Sequence, residues 1–285
     1  MGRRRRTQAV GIGGLLAFMA LATLGAWWSM EQPRRKDKAL VAARRLGGVV
    51  HHDPPAYDAP MAPAPPPHPA GSPAWIAEQL SEGLAHDLAV LNLDGRPVLD
   101  ADLRALQGIR SLRRLYLNAT RVTDPGMAML AGLSGLEVLE LRETALGDPG
   151  LAHLAGLGRL RSLALSETAV DNAGLAHLAG LRSLEVLSLV RTRVGDLGLA
   201  HLAGLGGLKS LKLNQTRVTD AGLAHLASLK RLEVLDLSGT AVTDAGLARL
   251  APLSELKYLF FDGTQVTAVG RDSLRKSLPG VRVFQ

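Results

Sequence analysis

No cysteine occurs among the 285 residues. That excludes disulfides, Cys-ligated zinc, a thiol nucleophile and a lipid-modified N-terminal cysteine. It leaves the compartment open, because a cysteine-free chain is indifferent to redox conditions. Aromatic residues are scarce at 4%, and they share an uneven distribution with the 31 glycines and 15 prolines. A clustered basic surface is also missing from most of the chain. The net charge is +7, but residues 1–50 hold ten Lys/Arg against two Asp/Glu. Residues 86–285 hold 23 against 20, interspersed. Nucleic-acid binding needs clustered positive charge, so the C-terminal part is not expected to take that partner. Outside the repeat pattern described below there is no Ser/His/Asp set, phosphate loop or carboxylate pair. The sequence therefore predicts no catalytic residues, no metal site and no cofactor, and an enzyme is the most remote of the function classes.

What is present begins with four arginines, Arg3 to Arg6, in a basic head over 1–8. An uncharged apolar run follows over 9–30 and closes on Trp27 and Trp28. Its length is enough for a bilayer core of roughly 30 Å, and tryptophans suit the interface. The segment reads as a transmembrane anchor. A cleaved signal peptide competes with it, since Ala20-Leu21-Ala22 fits a small-x-small cleavage site. Basic residues on both sides, with Arg34, Arg35, Lys36, Lys38, Arg44 and Arg45 in the juxtamembrane segment 31–50, make the positive-inside rule nearly a tie. The Arg-rich head tips the reading towards N-inside, with the rest extracytoplasmic. Residues 51–73, with "DPPAYDAPMAPAPPPHPAGSP" at 53–73, form a proline-rich linker. Proline removes donors and fixes φ, so this stretch reads as a semi-rigid spacer spanning up to about 60 Å. Residues 74–87, including "WIAEQLSEGLAH", are expected to form a helix capping the domain that follows.

From Leu88 the chain repeats every 24 residues, with starts at Leu88, Leu112, Leu136, Leu160, Leu184, Leu208, Leu232 and Leu256. These eight units and a terminal "VRVFQ" fill 88–285. A fixed period in this range signals a solenoid. Within each unit, L-x-x-L-x-L alternates apolar residues with period two, as in Leu139 and Leu141, which predicts a short strand burying one face. Stacked units would pair these strands into a parallel sheet. Thr recurs at 120, 144, 168, 192, 216, 240 and 264; its buried hydroxyl is expected to bond the backbone of neighbouring rungs. Asp124, Asp148, Asp196, Asp220 and Asp244 each precede a helical stretch and read as N-caps, with Pro125 and Pro149 next in line. Leucines at i, i+3 and i+6 (Leu151, Leu154, Leu157) bury the inner face of that helix.

These residues resemble the leucine-rich repeat family, and every unit carries the resemblance. Thr at the usual Asn position and the "VTDxGL" tail are similar to the Cys-containing subclass of F-box proteins and to many bacterial repeat proteins. No F-box-like module precedes the repeats, so ubiquitin ligation is not implied. The resemblance implies an α/β solenoid: an arc with a concave parallel sheet and convex short helices, whose members typically bind proteins.

The repeats place His153, His177, His201 and His225 in one slot, which Met129 and Arg249 fill elsewhere. Outward-pointing histidines on helices about 8–10 Å apart reach a common zinc poorly, since its nitrogens must lie at about 2.0–2.1 Å. They read as an exposed surface row. Signs alternate along Arg113, Glu137, Arg161, Glu185, Lys209, Glu233 and Lys257, which reads as cross-strand pairing. Function is expected where the units disagree. At what reads as the middle strand position the series runs Asn92, Tyr116, Glu140, Ala164, Ser188, Lys212, Asp236, Phe260; after the strand come Asn118, Arg142, Glu143, Glu167, Arg191, Asn214, Gln215 and Asp262. The binding candidates are Arg114, Tyr116, Glu140, Arg142, Arg191, Lys212, Asp236, Tyr258 and Phe260, with aromatic and Arg residues favoured as hot spots. Tyr258 and Phe260 have a competing reading as part of the C-terminal cap. The expected activity is a membrane-tethered, non-catalytic protein-binding module, or a secreted form of it after cleavage. The sequence does not name the protein partner or the oligomeric state.

Overall fold

A computed structural model describes residues 88–285. The basic head, apolar segment 9–30, juxtamembrane segment, proline-rich linker and capping helix all lie outside the described residues. Among the described residues no helix is long and apolar enough to cross a membrane.

Each repeat contributes one strand of three residues: β1 Val90–Asn92, β2 Arg114–Tyr116, β3 Val138–Glu140, β4 Ser162–Ala164, β5 Val186–Ser188, β6 Ser210–Lys212, β7 Val234–Asp236 and β8 Tyr258–Phe260. The terminal "VRVF" adds β9, Arg282–Phe284. All pair in chain order into a nine-stranded parallel sheet. The register aligns Leu115, Leu139 and Leu163 one above another. That leucine is the middle residue of each strand and is buried, as Leu139 shows at 0% exposure. The variable residues such as Tyr116 and Glu140 are therefore the third strand residue, one place later than the alternation suggested. A strand cannot turn its middle leucine into the core and a polar neighbour there too, because successive side chains point to opposite faces.

Opposite the sheet lie short helices: α1 Asp124–Leu130, α2 Asp148–Ala152, α3 Asn172–Leu175, α4 Asp196–Ala200, α5 Asp220–Leu223, α6 Asp244–Ala248 and the longer α7 Ala268–Ser277. Several continue as 3-10 turns, such as Ala176–Leu178 and Ala224–Ser228. Between the layers the leucines form one continuous core. Each fully buried leucine contributes about 1.5–3 kcal/mol. Leu151, Leu154 and Leu157 are fully buried, as their spacing requires, and Phe261 replaces leucine in the last rung.

Two expected roles need correction. The recurring Thr does not link rungs. Its hydroxyl donates to the carbonyl three residues back in its own rung, as in Thr144 to Leu141 at 2.7 Å and Thr192 to Leu189 at 2.7 Å. It closes the turn after the strand. The recurring Asp is the residue that links rungs. It occupies the first helical position rather than the cap, and Thr219 and Thr243 are the caps of α5 and α6, each accepting from the backbone two residues on. Asp220 accepts the Thr243 N–H at 2.8 Å and the Thr243 hydroxyl at 2.6 Å. The same two-point link joins Asp100 to Thr123, Asp196 to Thr219 and Asp244 to Thr267. At Gly147 and Gly195, which carry no hydroxyl, Asp124 and Asn172 keep the backbone bond, both at 2.7 Å.

This link explains the glycine of "DxGL". At Gly222 and Gly246 an added Cβ would overlap the carboxylate oxygen of the preceding rung's Asp196 or Asp220. Only a residue without a side chain lets the carboxylate come that close.

Another constraint shapes the turn after each strand. Its second residue is left-handed in every repeat: glycine at Gly95, Gly239 and Gly263, but Ala119, Glu143, Glu167, Arg191 and Gln215 elsewhere, with φ between 52° and 58°. A non-glycine residue there costs about 1–2 kcal/mol.

Replacing Asp220 by Ala strands the Thr243 amide and hydroxyl, and should lower stability by about 2–3 kcal/mol. His225→Ala, on an exposed side chain of the same repeat, should stay within about 0.5 kcal/mol. Chemical denaturation of both variants checks this; equal effects would remove the Asp link as a structural determinant.

Candidate functional site

The sheet's outer face presents the first and third residues of each strand. Its charged flank is an ion-pair row. Glu185 sits between Arg161 at 3.0 Å and Lys209 at 2.7 Å, and Lys257 meets Glu233 at 2.6 Å. The hydrogen bond from Lys209 holds the Glu185 carboxyl below its ordinary range. The alternating signs thus stitch neighbouring strands, worth about 0.2–1 kcal/mol per pair.

Two separate groupings emerge from the nine candidates. The first gathers Arg114, Tyr116, Glu140 and Arg142 over β2, β3 and the turns after them. Arg142 Nε lies 3.2 Å from Glu140 Oε2, and Asn118 donates to the same carboxylate at 3.4 Å. Asn118 also accepts the Arg142 N–H at 2.9 Å, while its own N–H donates to Asp94 at 2.8 Å. Burial pushes the Glu140 carboxyl above its ordinary value, and Arg142 and Asn118 offset only part of that. Asp94 is raised by burial in the same way, and burial also raises the Tyr116 phenol. A carboxylate held in a poorly solvated place is a ready acceptor for a donor that arrives from a partner.

The second grouping is aromatic. Phe260 stacks on Phe284 at 4.7 Å between centroids and 16° between planes, and Tyr258 lies 6.4 Å from Phe284. The rings pack together as a C-terminal cap would, yet Tyr258 and Phe284 are 37% and 44% exposed. The packing is that of a cap, and the exposed ring surface is what the binding reading would use. Phe284 was not among the candidates; "VRVFQ" carries the signal, because a ninth strand puts its third residue on the same face as Phe260.

Between the groupings the face is shallow. Ala164 and Ser188 are buried at 0% and 2%, and Ser166 bonds Ser188 through their hydroxyls at 2.8 Å. Lys212 and Asp236 stand beyond this floor, and Asn214 bonds Asp236. Arg191 is set apart, on the strained left-handed row, bridging Glu167 at 3.0 Å and Gln215 at 2.6 Å. Asp94 was missed as well, because in the first repeat it looks like an ordinary turn residue. On the helix side His153, His177, His201 and His225 are all exposed, and among the described residues no cluster of three metal-ligating side chains occurs.

Parallel strands in chain order, short helices opposite and a leucine core define a repeat solenoid. The family model described as Leucine Rich repeat matches residues 230–251, one copy of a unit that the structure repeats. In fold the chain is similar to internalin C2 from Listeria monocytogenes, with a TM-score of 0.57 and 23% identity over 86% of this chain and 92% of that one. An internalin (inlF) of the same organism matches with a TM-score of 0.50 and 22% identity, over 73% of this chain and 68% of the other. At such identity the likeness is one of fold alone. No curated protein matches the sequence.

The burial of Glu140 has a measurable sign. Its folded pKa lies above the unfolded one, so stability is lost as pH rises from the ordinary carboxylate range through the raised value. Glu140→Gln should gain stability relative to the wild type near neutral pH and gain nothing near pH 3. A carbon-13 titration of the Glu140 side chain should give a midpoint above 4.5; a midpoint at or below it would refute the desolvated carboxylate.

Proposed function

We propose that the chain is a non-catalytic, membrane-tethered leucine-rich repeat protein that binds a protein partner through its sheet face. The observation that carries this reading is where the repeats differ. Core leucines, the turn Thr and the helix-start Asp recur, while the sheet face runs from Asn92 through Glu140, Ala164 and Lys212 to Phe260. The left-handed row supports it: Glu143, Glu167, Arg191 and Gln215 keep side chains where glycine would relieve strain.

Arg114, Tyr116, Glu140 and Arg142 form the polar end of the proposed site, and Tyr258 and Phe260 the aromatic end. Lys212, Asp236 and Arg191 lie between them. The six strand steps from β2 to β8 span about 29 Å, which suits an extended protein surface better than a small molecule. Tethering rests on the apolar run 9–30, with the linker 51–73 holding the repeats away from the bilayer on its extracytoplasmic side. The competing reading is a secreted protein with the same face, after cleavage near Ala22.

Membrane fractionation with mass analysis of the tagged full chain should recover Met1–Met30 in the membrane; a soluble species lacking it supports secretion. Partners captured by cross-linking on the wild type should be lost when Arg114 and Tyr116 are both changed to Ala, with thermal stability nearly unchanged. Unchanged capture by that variant would remove the proposed face.

A further inference from the structure

One junction in the Asp ladder, among those described, sets an acidic residue in the place of the Thr or Gly. Where Asp100, Asp196, Asp220 and Asp244 meet a Thr hydroxyl at 2.6–2.7 Å, the residue in the Thr position beside Asp148 is itself a carboxylate, Asp171. The backbone half of the link is intact, with the Asp171 N–H donating to Asp148 Oδ1 at 2.9 Å. Asp171 also caps α3, accepting from Ala173 N–H at 2.8 Å. The side-chain half differs chemically. A hydroxyl always has a hydrogen to donate; two carboxylates in contact have one only when they share a proton. With both ionised, the contact turns from a bond into a like-charge repulsion.

No ion pair among the described residues sits on either carboxylate to cancel this repulsion. The preceding helix brings Asp124, which is engaged with Gly147 at 2.7 Å. Within the next helix Asn172 is neutral and holds Gly195 at 2.7 Å, and Asp196 beyond it is committed to Thr219 at 2.8 Å. The positive charges that act on Asp171 are those of Arg193 and Arg217, in the two rungs that follow.

We infer that the junction between the third and fourth repeats is a pH-sensitive seam, closed by one proton shared between Asp148 and Asp171 and weakened when that proton leaves. In a solenoid each repeat touches only its neighbours, so this junction lies between two blocks that the sheet and the leucine core also join. β1 to β3 lie on one side, carrying Arg114, Tyr116, Glu140 and Arg142. β4 to β9 lie on the other, carrying Lys212, Tyr258, Phe260 and Phe284. The seam thereby controls how rigidly the two groupings of the sheet face are held relative to each other, whether or not they bind the same partner.

Ionisation follows the geometry. Burial, joined by the Asp171 contact, raises the Asp148 carboxyl; the Ala173 N–H and the Asp148 contact lower that of Asp171. The shared proton belongs to the pair, and its loss follows the raised Asp148 carboxyl. The two groups act in opposite directions. A raised folded pKa makes Asp148 lose stability as pH rises from the ordinary carboxylate range through its raised value. A lowered folded pKa makes Asp171 lose stability as pH falls through its own lowered value. The window above the ordinary range thus belongs to Asp148 alone.

The test is calorimetry of the full chain in detergent from pH 4 to pH 8, comparing the wild type with Asp171→Thr. Threonine restores the arrangement of Thr219 and Thr243, both the hydroxyl link and the cap. Its gain in Tm should be small at pH 4 and grow to a few degrees by pH 8, as expected for about 1 kcal/mol in a domain of this size. Asp148→Asn, which copies Asn172 at the next junction, should flatten the pH profile in the same direction and serves if the first variant does not fold. Thr219→Asp should install the behaviour one step along the ladder, lowering Tm more at pH 8 than at pH 4. Differences from wild type that are independent of pH, in these variants, would overturn the seam.

Discussion

A carboxylate reaching from one repeat into the next holds this solenoid together along its helix side. The strands hydrogen-bond each other and the leucines fill the interior, but both interactions are generic to stacked repeats. The Asp link is directional. It satisfies the backbone N–H of the residue that caps the following helix, a donor that would otherwise face solvent or remain unpaired. It also forces the glycine three residues after that amide, since the carboxylate of the rung before occupies the place of a side chain. Asp, Gly and the Thr cap are therefore one mechanism spread over two repeats. That shared mechanism is why they recur together in the sequence.

With the helix side and core committed to this scheme, the sheet face is free to vary. Its first and third strand positions carry no packing duty beyond contact with their neighbours. The result is two unlike groupings on one continuous sheet, a polar one around Glu140 and an aromatic one around Phe260. The left-handed turn row bears the mark of the same freedom. Its glycine-like backbone is imposed by the turn, and five repeats hold a side chain there despite the cost.

Much of this was legible in the sequence. The period of 24 gave the parallel sheet, its order and the leucine core, because each unit repeats its own burial pattern. The alternating signs of Arg161, Glu185 and Lys209 became ion pairs at 2.7–3.0 Å. What escaped was contact between repeats. Asp220 looks like an N-cap from its neighbours in sequence, and nothing local reveals that its partner is Thr243, 23 residues on. Thr216 looked like a rung link and instead closes its own turn on Leu213. Phe284 and Asp94 were overlooked for a related reason: terminal units depart from the repeat, so their face must be read from register. The buried carboxylates were not legible at all, because desolvation depends on how densely neighbouring rungs crowd a side chain.

Residue-resolved hydrogen exchange tests the account most directly, through the amides of Gly147, Thr219, Thr243 and Thr267. Each of them donates to a carboxylate of the preceding rung at 2.7–2.8 Å. If the Asp link ties the repeats together, these helix-start amides are protected as strongly as the strand-end amides of Leu213 and Leu237, which bond the next strand. Exchange at the rate of open loops, with the strand amides still protected, would contradict it.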